Sequence, residues 1–466
     1  MLLPFPLRFA GAAVTAVGPL PRRRRFRRRA DENPALGESD LRAPLTSTIP
    51  GLSVAAPVVA TPRAEPSTWA PFGHPMFAVF WTVGLVSNLG TWVHELAAGY
   101  LMAILEPSPI WVSLVRTSMS LPVFCLALFA GAIADRVDRR RLLLATQVFL
   151  CGVTATMAAL TTAGLMTPIL LLATTFAIGL GMCLHVPTWQ AIYPQIVKRE
   201  QIPAAVGLGS LSFNLARCVG PALSGVVITL TSVGTAFVIN SISYAGVIFV
   251  LANWKPVQKT TPSPPDERLG QSVAIGLRYL LGEVGLRTVY LRLILFVVPA
   301  SAVWALIPLV ATQKYSLGPQ GFGLLISAFG LGAVLGVAGL PRMRNRIGSG
   351  GTVATLSAAF GVCCGLMALS DWQPLGLLAM LGMGTCWMGV LTTLNSTVQL
   401  HIDDRFRARG MSLYLTVMSA GMAFGSLLWG YTAELAGLDA AFTIAAVCSS
   451  VFAAAAQRFV LRELTF

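Results

Sequence analysis

Residues 131–141 read GAIADRVDRRR. Arg136, Arg139, Arg140 and Arg141 stand there against Asp135 and Asp138, in a chain of which only 11% of residues are charged. Apolar runs flank the block on both sides, Ile110–Ala130 and Leu142–Leu160. Each run is long enough to cross a bilayer as a helix, and arginines in the turn between them anchor it to one side. An anchor requires only arginine. Gly131 at the end of a run and Asp135 four residues later are more than an anchor needs, and they make the stretch a candidate moving part.

The composition points the same way. The chain has 466 residues, 55% of them hydrophobic, and a mean hydropathy of +0.71. Soluble domains are about a quarter charged, so the polar surface needed to keep this chain in water is missing. The net charge of +14 is local: seven arginines lie in PRRRRFRRR, Pro21–Arg29. No soluble domain remains to carry a basic face, which excludes nucleic acid as a partner. The cysteines at 125, 151, 183, 218, 363, 364, 386 and 448 fall in apolar runs. Their spacing fits neither a disulfide framework nor a zinc site, so no metal and no cofactor is expected.

Residues 1–72 are rich in Pro, Arg, Ala and Ser without helical periodicity and read as a disordered basic tail. From there the chain is a series of twelve apolar runs, at 76–104, 110–132, 140–163, 168–190, 203–229, 233–253, 289–313, 319–340, 350–369, 374–397, 408–433 and 438–458. Lipid offers no partner to backbone amides, so such runs must be helices. Prolines 122, 168, 187, 221, 299 and 308 are expected to kink or open them. Lys and Arg concentrate in alternate loops, and the loops between carry Glu106, Asp371, Glu434 and Asp439, with Lys314 the exception. By the positive-inside rule both termini are cytoplasmic. The expected organisation is an all-α polytopic membrane protein with a six-helix bundle over 73–253, a linker over 254–287 and a second six-helix bundle over 288–460. A short C-terminal tail, 461–466, follows. The linker opens Pro-rich and continues as QSVAIGLRYLLGEVGLR, read as an amphipathic helix on the inner membrane surface. The halves also repeat: Gly181 and Gly220 in the first match Gly384 and Gly425 in the second. Duplicated halves with a binding site near the midplane are a common plan of secondary transporters.

The stretch from Gly131 to Leu142 resembles the loop signature between helices 2 and 3 of the major facilitator superfamily, roughly G-x-L-A-D-R-x-G-R-[KR]-x-x-L, with Asp138 in place of the second glycine. SNLGTWVHELA (87–97), VPTWQAIYPQIVKRE (186–200) and NLARCVGPALSG (214–225) resemble one branch of it, that of enterobactin exporters and transmembrane secretion effector proteins. The resemblance implies two rocking bundles. It also implies that Gly131, Asp135, Arg136, Arg139 and Arg140 form a gating loop, with Asp135 a latch near the cytoplasmic start of helix 11. A helix N-terminus favours such a negative charge.

Ionisable residues inside a membrane are expensive and each requires an account. His94 and Glu95 lie past the middle of helix 1, and Asn88, Trp92 and Glu95 share one face at i, i+4 and i+7. The state of a carboxylate in hydrocarbon depends on whether a cation faces it, so Glu95 is a candidate proton carrier and His94 a second. The competing reading makes Glu95 the structural partner of a nearby arginine. Arg217, mid-helix 5, shares a side with Ser210 and Asn214 and cannot lose its charge. It is expected to pair with Glu95 or to hold an acidic substrate group. Arg116, early in helix 2, joins Asn88, His94, Glu95, Asn214 and Arg217 as a candidate for proton coupling or the substrate cavity; the competing reading has it snorkel toward the outer surface. Gly220, Pro221 and Gly225 resemble a helix-5 antiporter motif. Physically, small residues allow close helix contact and Pro allows bending. His185, Trp189, Trp304 and Asn395 are candidate cavity residues.

The chain has no phosphate-cradling G-x-x-x-x-G-K-[ST] sequence and no catalytic cluster, which argues against an ATP-driven pump and against an enzyme. The expectation is a secondary active transporter in the bacterial inner membrane: a proton-coupled exporter of a small organic molecule, siderophore- or drug-like, working by alternating access. Its partners are the substrate, protons and lipid, and a monomer suffices. A facilitator or importer of a lipid-like or sugar substrate on the same fold is the alternative.

Overall fold

A computed structural model describes residues 67–458 apart from 191, 255–277, 279–281 and 403–406. The expected tails and most of the expected linker with its amphipathic helix lie outside the described residues. Among those described, there are α-helices and short helical turns and no strand. In chain order the long helices are α1 Pro75–Leu105, α2 Pro109–Arg136, α3 Arg139–Thr162, α4 Pro168–Gln190, α5 Ile202–Leu230 and α6 Val233–Asn253, then α7 Val284–Leu309. A continuous helical stretch, Pro319–Leu369, follows, and then α10 Gln373–His401, α11 Arg407–Ala436 and α12 Leu438–Arg458.

The stretch Pro319–Leu369 has 51 residues. A straight helix of that length would be about 76 Å long, more than twice the hydrocarbon thickness. Gly348 resolves this with φ 70° and ψ 171° inside the run. That left-handed region is open to glycine at little steric cost, and the chain reverses there into α8 (319–347) and α9 (349–369). The run expected to end at 340 therefore continues seven residues, past Pro341, because the break is at the glycine. Pro168 does not kink a helix. It is the first residue of α4, where a missing N–H is harmless. Pro122, Pro187, Pro221, Pro299 and Pro308 do lie inside helices, and after Pro308 the chain continues as a π-turn over Val310–Lys314. α7 begins at Val284, inside the expected linker.

Large apolar side chains face outward along most helices, for example Phe249 at 71%, Ile242 at 65% and Leu369 at 86% exposure. Water would not sustain such a surface, and lipid does. α7 is the most enclosed span. The helices form two bundles, α1–α6 and α7–α12, joined chiefly along α2 with α11 and α5 with α8. One end of the molecule carries Arg139, Arg140, Arg141, Lys198, Arg199, Arg342, Arg344 and Arg346 and is called the basic end. The other carries Glu106, Asp371, Glu434 and Asp439 and is called the acidic end.

The repeat read in the sequence reappears as matched packing. A Cβ built on Gly220 of α5 would lie 2.6 Å from Trp92 Cβ on α1, and one built on Gly425 of α11 would lie 3.1 Å from Val298 O on α7. In each half the corresponding glycine seats the bundle's first helix against its fifth.

The turn between α2 and α3 has a plain structural logic. Asp138 is the N-cap of α3, and its Oδ1 accepts from the Arg141 backbone N–H at 2.8 Å. Arginines in the first turn sit at the wrong end of the helix dipole, and the Asp138 carboxylate offsets this. Arg140 crosses to α6 and donates from Nε to Leu251 O at 2.8 Å and from NH2 to Ala252 O at 2.7 Å. It thereby satisfies carbonyls that the end of α6 leaves open. Asp138, the departure from the family pattern, is therefore a helix cap, and Arg140 is a clamp on α6. The side chains of Gly131, Asp135 and Arg136 lie outside the described residues, as does the expected latch partner at the start of α11. Arg139, the remaining member of the expected gating loop, lies in the first turn of α3.

Candidate functional site

The bundles meet at the acidic end and at mid-height. Ser108 Oγ donates to Glu434 Oε2 at 2.7 Å, Gln313 Nε2 to Pro107 O at 2.9 Å and Thr117 Oγ1 to Ala423 O at 3.1 Å. Nearer the middle, Arg217 NH2 approaches Met388 Sδ of the second bundle at 3.8 Å. Lys314 braces the same end within the second bundle: its Nζ donates to Ala368 O at 2.8 Å and pairs with Asp371 and Asp439. The outward lysine that broke the charge pattern is thus neutralised by two of the acidic loop residues.

Just inside this closed end lies a cavity between the bundles. Trp92, His94 and Glu95 of α1, Arg116 of α2, Pro221 of α5 and Trp304 of α7 line it with others. It holds about 60 Å³, room for a few waters and too little for a siderophore-sized molecule. Glu95 is ion-paired with Arg116. Arg116 also lies over Trp304, with Cζ 5.0 Å from the ring centroid. Trp304 packs in turn on Trp92 at 6.3 Å, Trp387 at 5.8 Å and Phe329 at 4.8 Å between centroids. The Glu95 pair, within the first bundle, therefore touches the second bundle through one indole.

This corrects one expectation: Glu95 pairs with Arg116 and not with Arg217, and Arg116 is the nearby arginine of the competing reading. Arg116 lines the cavity, as a candidate cavity residue would, and does not snorkel. The reason is register. Gly220 sits beside Trp92, so Arg217 lies one turn toward the basic end and Glu95 one turn toward the acidic end. The two are about 9 Å apart in height, and Arg116 of α2 is the arginine that meets the Glu95 carboxylate. The spacing within each helix places Asn88, Trp92 and Glu95 on one face, but the height of one helix against another is not written in either.

Arg217 is 6% exposed. Its NH2 donates to Asn214 Oδ1 at 2.9 Å and approaches Met388 Sδ on α10 at 3.8 Å, while Nε has no partner. Among the described residues no carboxylate lies within ion-pair distance of it. Asn214 is fixed by donating to Ser210 O at 2.8 Å, and Asn88 donates to Ser212 Oγ at 3.4 Å. Thus α1 and α5 present an amide-rich face around one guanidinium at mid-height. His94 stands apart from this group. It packs on Phe237 of α6 at 4.8 Å, is 5% exposed, and its Nδ1 has no partner. His185 bonds Gln147 through Nδ1 at 3.0 Å and packs on Trp189, a satisfied contact between α3 and α4.

Pro221 and Gly225 face the other bundle. A Cβ on Gly225 would lie 2.6 Å from Pro319 O, and one on Gly330 of α8 would lie 2.7 Å from Arg217 O. Gly323 of α8 likewise meets the Pro221 carbonyl. The α8 glycines complete a backbone-on-backbone seam of which Pro221 and Gly225 form the other side. Their signal was the same as that of α5, small residues at helical spacing.

Two six-helix bundles closing on a central polar site define a transporter of the major facilitator type. The chain belongs to the transmembrane secretion effector family, whose sequence pattern matches residues 66–465. It is 24% identical over 372 residues to the staphyloferrin A transporter of Staphylococcus aureus, covering 79% of this chain and 92% of that protein. It is 23% identical over 382 residues to the enterobactin exporter EntS of Escherichia coli O127:H6, covering 81% and 88%. In fold it is similar to the nucleoside transporter NupG, with a TM-score of 0.66 at 14% identity over 83% of this chain and 100% of that one.

Proposed function

We propose that this protein is a proton-coupled exporter of a small anionic organic molecule, siderophore-like in size, working by alternating access in a bacterial inner membrane. The observation that carries this is the unequal fate of two interface arginines. Arg116 is neutralised by Glu95, whereas Arg217 has no carboxylate near it among the described residues. A permanent buried cation without a counter-ion is unfavourable and is accounted for by an anion that arrives with the substrate. The basic end faces the cytoplasm by the positive-inside rule. In this reading the acidic end, held by Ser108 with Glu434 and Gln313 with Pro107, is the outer gate. The names of the relatives, a staphyloferrin A transporter and enterobactin exporters, support the siderophore-like class. Monomeric function fits a site contained within one chain.

In this cycle Glu95 takes a proton when the acidic end is open and releases it when the basic end is open. Arg116 alternates between carboxylate-paired and unpaired states, and Asp135 acts as the loop latch between α2 and α3. In inverted vesicles, Glu95→Gln is expected to lower pH-gradient-driven accumulation of staphyloferrin A or enterobactin by at least about a hundredfold, the scale of losing an essential proton-transfer group, with membrane insertion unchanged. Accumulation at the wild-type rate in Glu95→Gln would remove Glu95 from the mechanism.

A further inference from the structure

The reading of Glu95 as proton carrier leaves open how its state reaches the other bundle. Three observations converge on one side chain. Arg116 joins Glu95 to α2, and the same guanidinium rests on the Trp304 ring 5.0 Å away. Trp304 belongs to α7 of the opposite bundle and is held in place by Phe329 and Trp387 of that bundle. The indole Nε1 and Arg116 Nε are both buried without a partner, so no hydrogen bond fixes this contact: it is the ring face meeting the cation.

We propose that Trp304 is a positioning residue that converts the protonation state of Glu95 into the strength of closure at the acidic end. A guanidinium paired with a carboxylate presents a neutralised charge to the ring. Once Glu95 is protonated, the same guanidinium has lost its counter-ion in a confined, mostly apolar space, where the quadrupole of the indole is its strongest remaining partner. Protonation therefore tightens Arg116 on Trp304 and draws α7 toward α2. The sign is the one an antiporter needs: the proton-loaded carrier closes at the acidic end and turns toward the basic end to release its proton. The other titratable side chains lining this cavity are His94 of α1 and Tyr244 of α6. His94 packs on Phe237 and Tyr244 bonds Thr91 Oγ1 at 3.2 Å. α4, α5, α7 and α8 present only uncharged side chains to the cavity.

The test is hydrogen exchange with mass spectrometry on the full chain in lipid nanodiscs, reading the start of α2 and the end of α11 at mildly acidic and mildly alkaline pH, corrected for intrinsic exchange. The wild type is expected to be about threefold or more better protected at acidic pH, within the range a cation–π contact supplies. Trp304→Leu is expected to lose this pH response. Trp304→Phe keeps its direction at reduced size, which a purely space-filling role would not produce. Glu95→Gln is expected to be protected at both pH values. A wild-type response in Trp304→Leu, or an undiminished one in Trp304→Phe, overturns the proposal while leaving Glu95 as the carrier. A response that survives in Glu95→Gln overturns both.

Discussion

Arg217→Gln is expected to abolish transport of anionic substrates while leaving the folded protein as stable as the wild type or more so. The two halves of this result separate a substrate site from a structural ion pair. Breaking a buried ion pair strands the partner charge and destabilises by about 3–5 kcal/mol. Arg217 has an amide and a thioether as neighbours and no carboxylate among the described residues, so its removal strands no opposite charge. It relieves an unpaired buried charge instead. Transport responds in the opposite sense. Losing one partner of a buried charged contact weakens binding by about 2–5 kcal/mol, roughly thirtyfold to several thousandfold. Arg217→Lys keeps the charge without the planar fork and should retain part of the activity. Thermal unfolding in detergent read beside vesicle transport checks both halves. A variant that unfolds easily and transports normally would make Arg217 structural.

The second large effect concerns the seam between α5 and α8. Gly330→Val is expected to hold the bundles apart while each remains intact. Its Cβ would come 2.7 Å from Arg217 O and 2.9 Å from Cys218 Cα, backbone atoms that cannot rotate away. Overpacking of this kind is unfavourable by about 1–3 kcal/mol, which shifts the open–closed equilibrium roughly fivefold to 150-fold. The strain is relieved when the helices separate, so the variant should accumulate with the acidic end open and transport should fall in proportion. Hydrogen exchange at the end of α11 reports the shift. Unchanged protection there, with normal transport, would show that the seam never needs to close. Gly384 gives a contrasting case. Its added Cβ would strike the Phe329 backbone within one bundle, so substitution there should impair folding of that bundle.

Much of this architecture is legible in residue order, because lipid permits few alternatives. Apolar runs of the right length must be helices, and the arginine asymmetry sets their direction. The run 319–369 shows the limit. Pro341 looks like the natural break, yet the helix passes it and turns at Gly348, where φ is 70°. Asp138 was legible in principle, since an aspartate just before a helix that begins with arginines is a capping signal. The family pattern drew attention to the missing glycine instead. The site was half legible. Membrane-embedded Glu95, Arg116 and Arg217 stand out by the expense of their burial, and Asn214 joins Arg217 as its spacing of three residues predicts. That Glu95 meets an arginine was one of two legible readings, but which arginine was not, because the choice depends on how high one helix sits against another, here with Trp92 level with Gly220. Trp304 was visible only as a possible lining residue. Its place on Arg116 follows from how the two bundles meet, which no single helix records.

The proposed cycle turns on Glu95 binding a proton inside the membrane, an event that can be observed without substrate. Proteoliposomes holding the full chain on a solid-supported membrane are stepped from mildly alkaline to mildly acidic pH without substrate, and the displaced charge is recorded. A transient inward charge movement is expected in the wild type and is absent in Glu95→Gln. A transient of wild-type size in Glu95→Gln would contradict it.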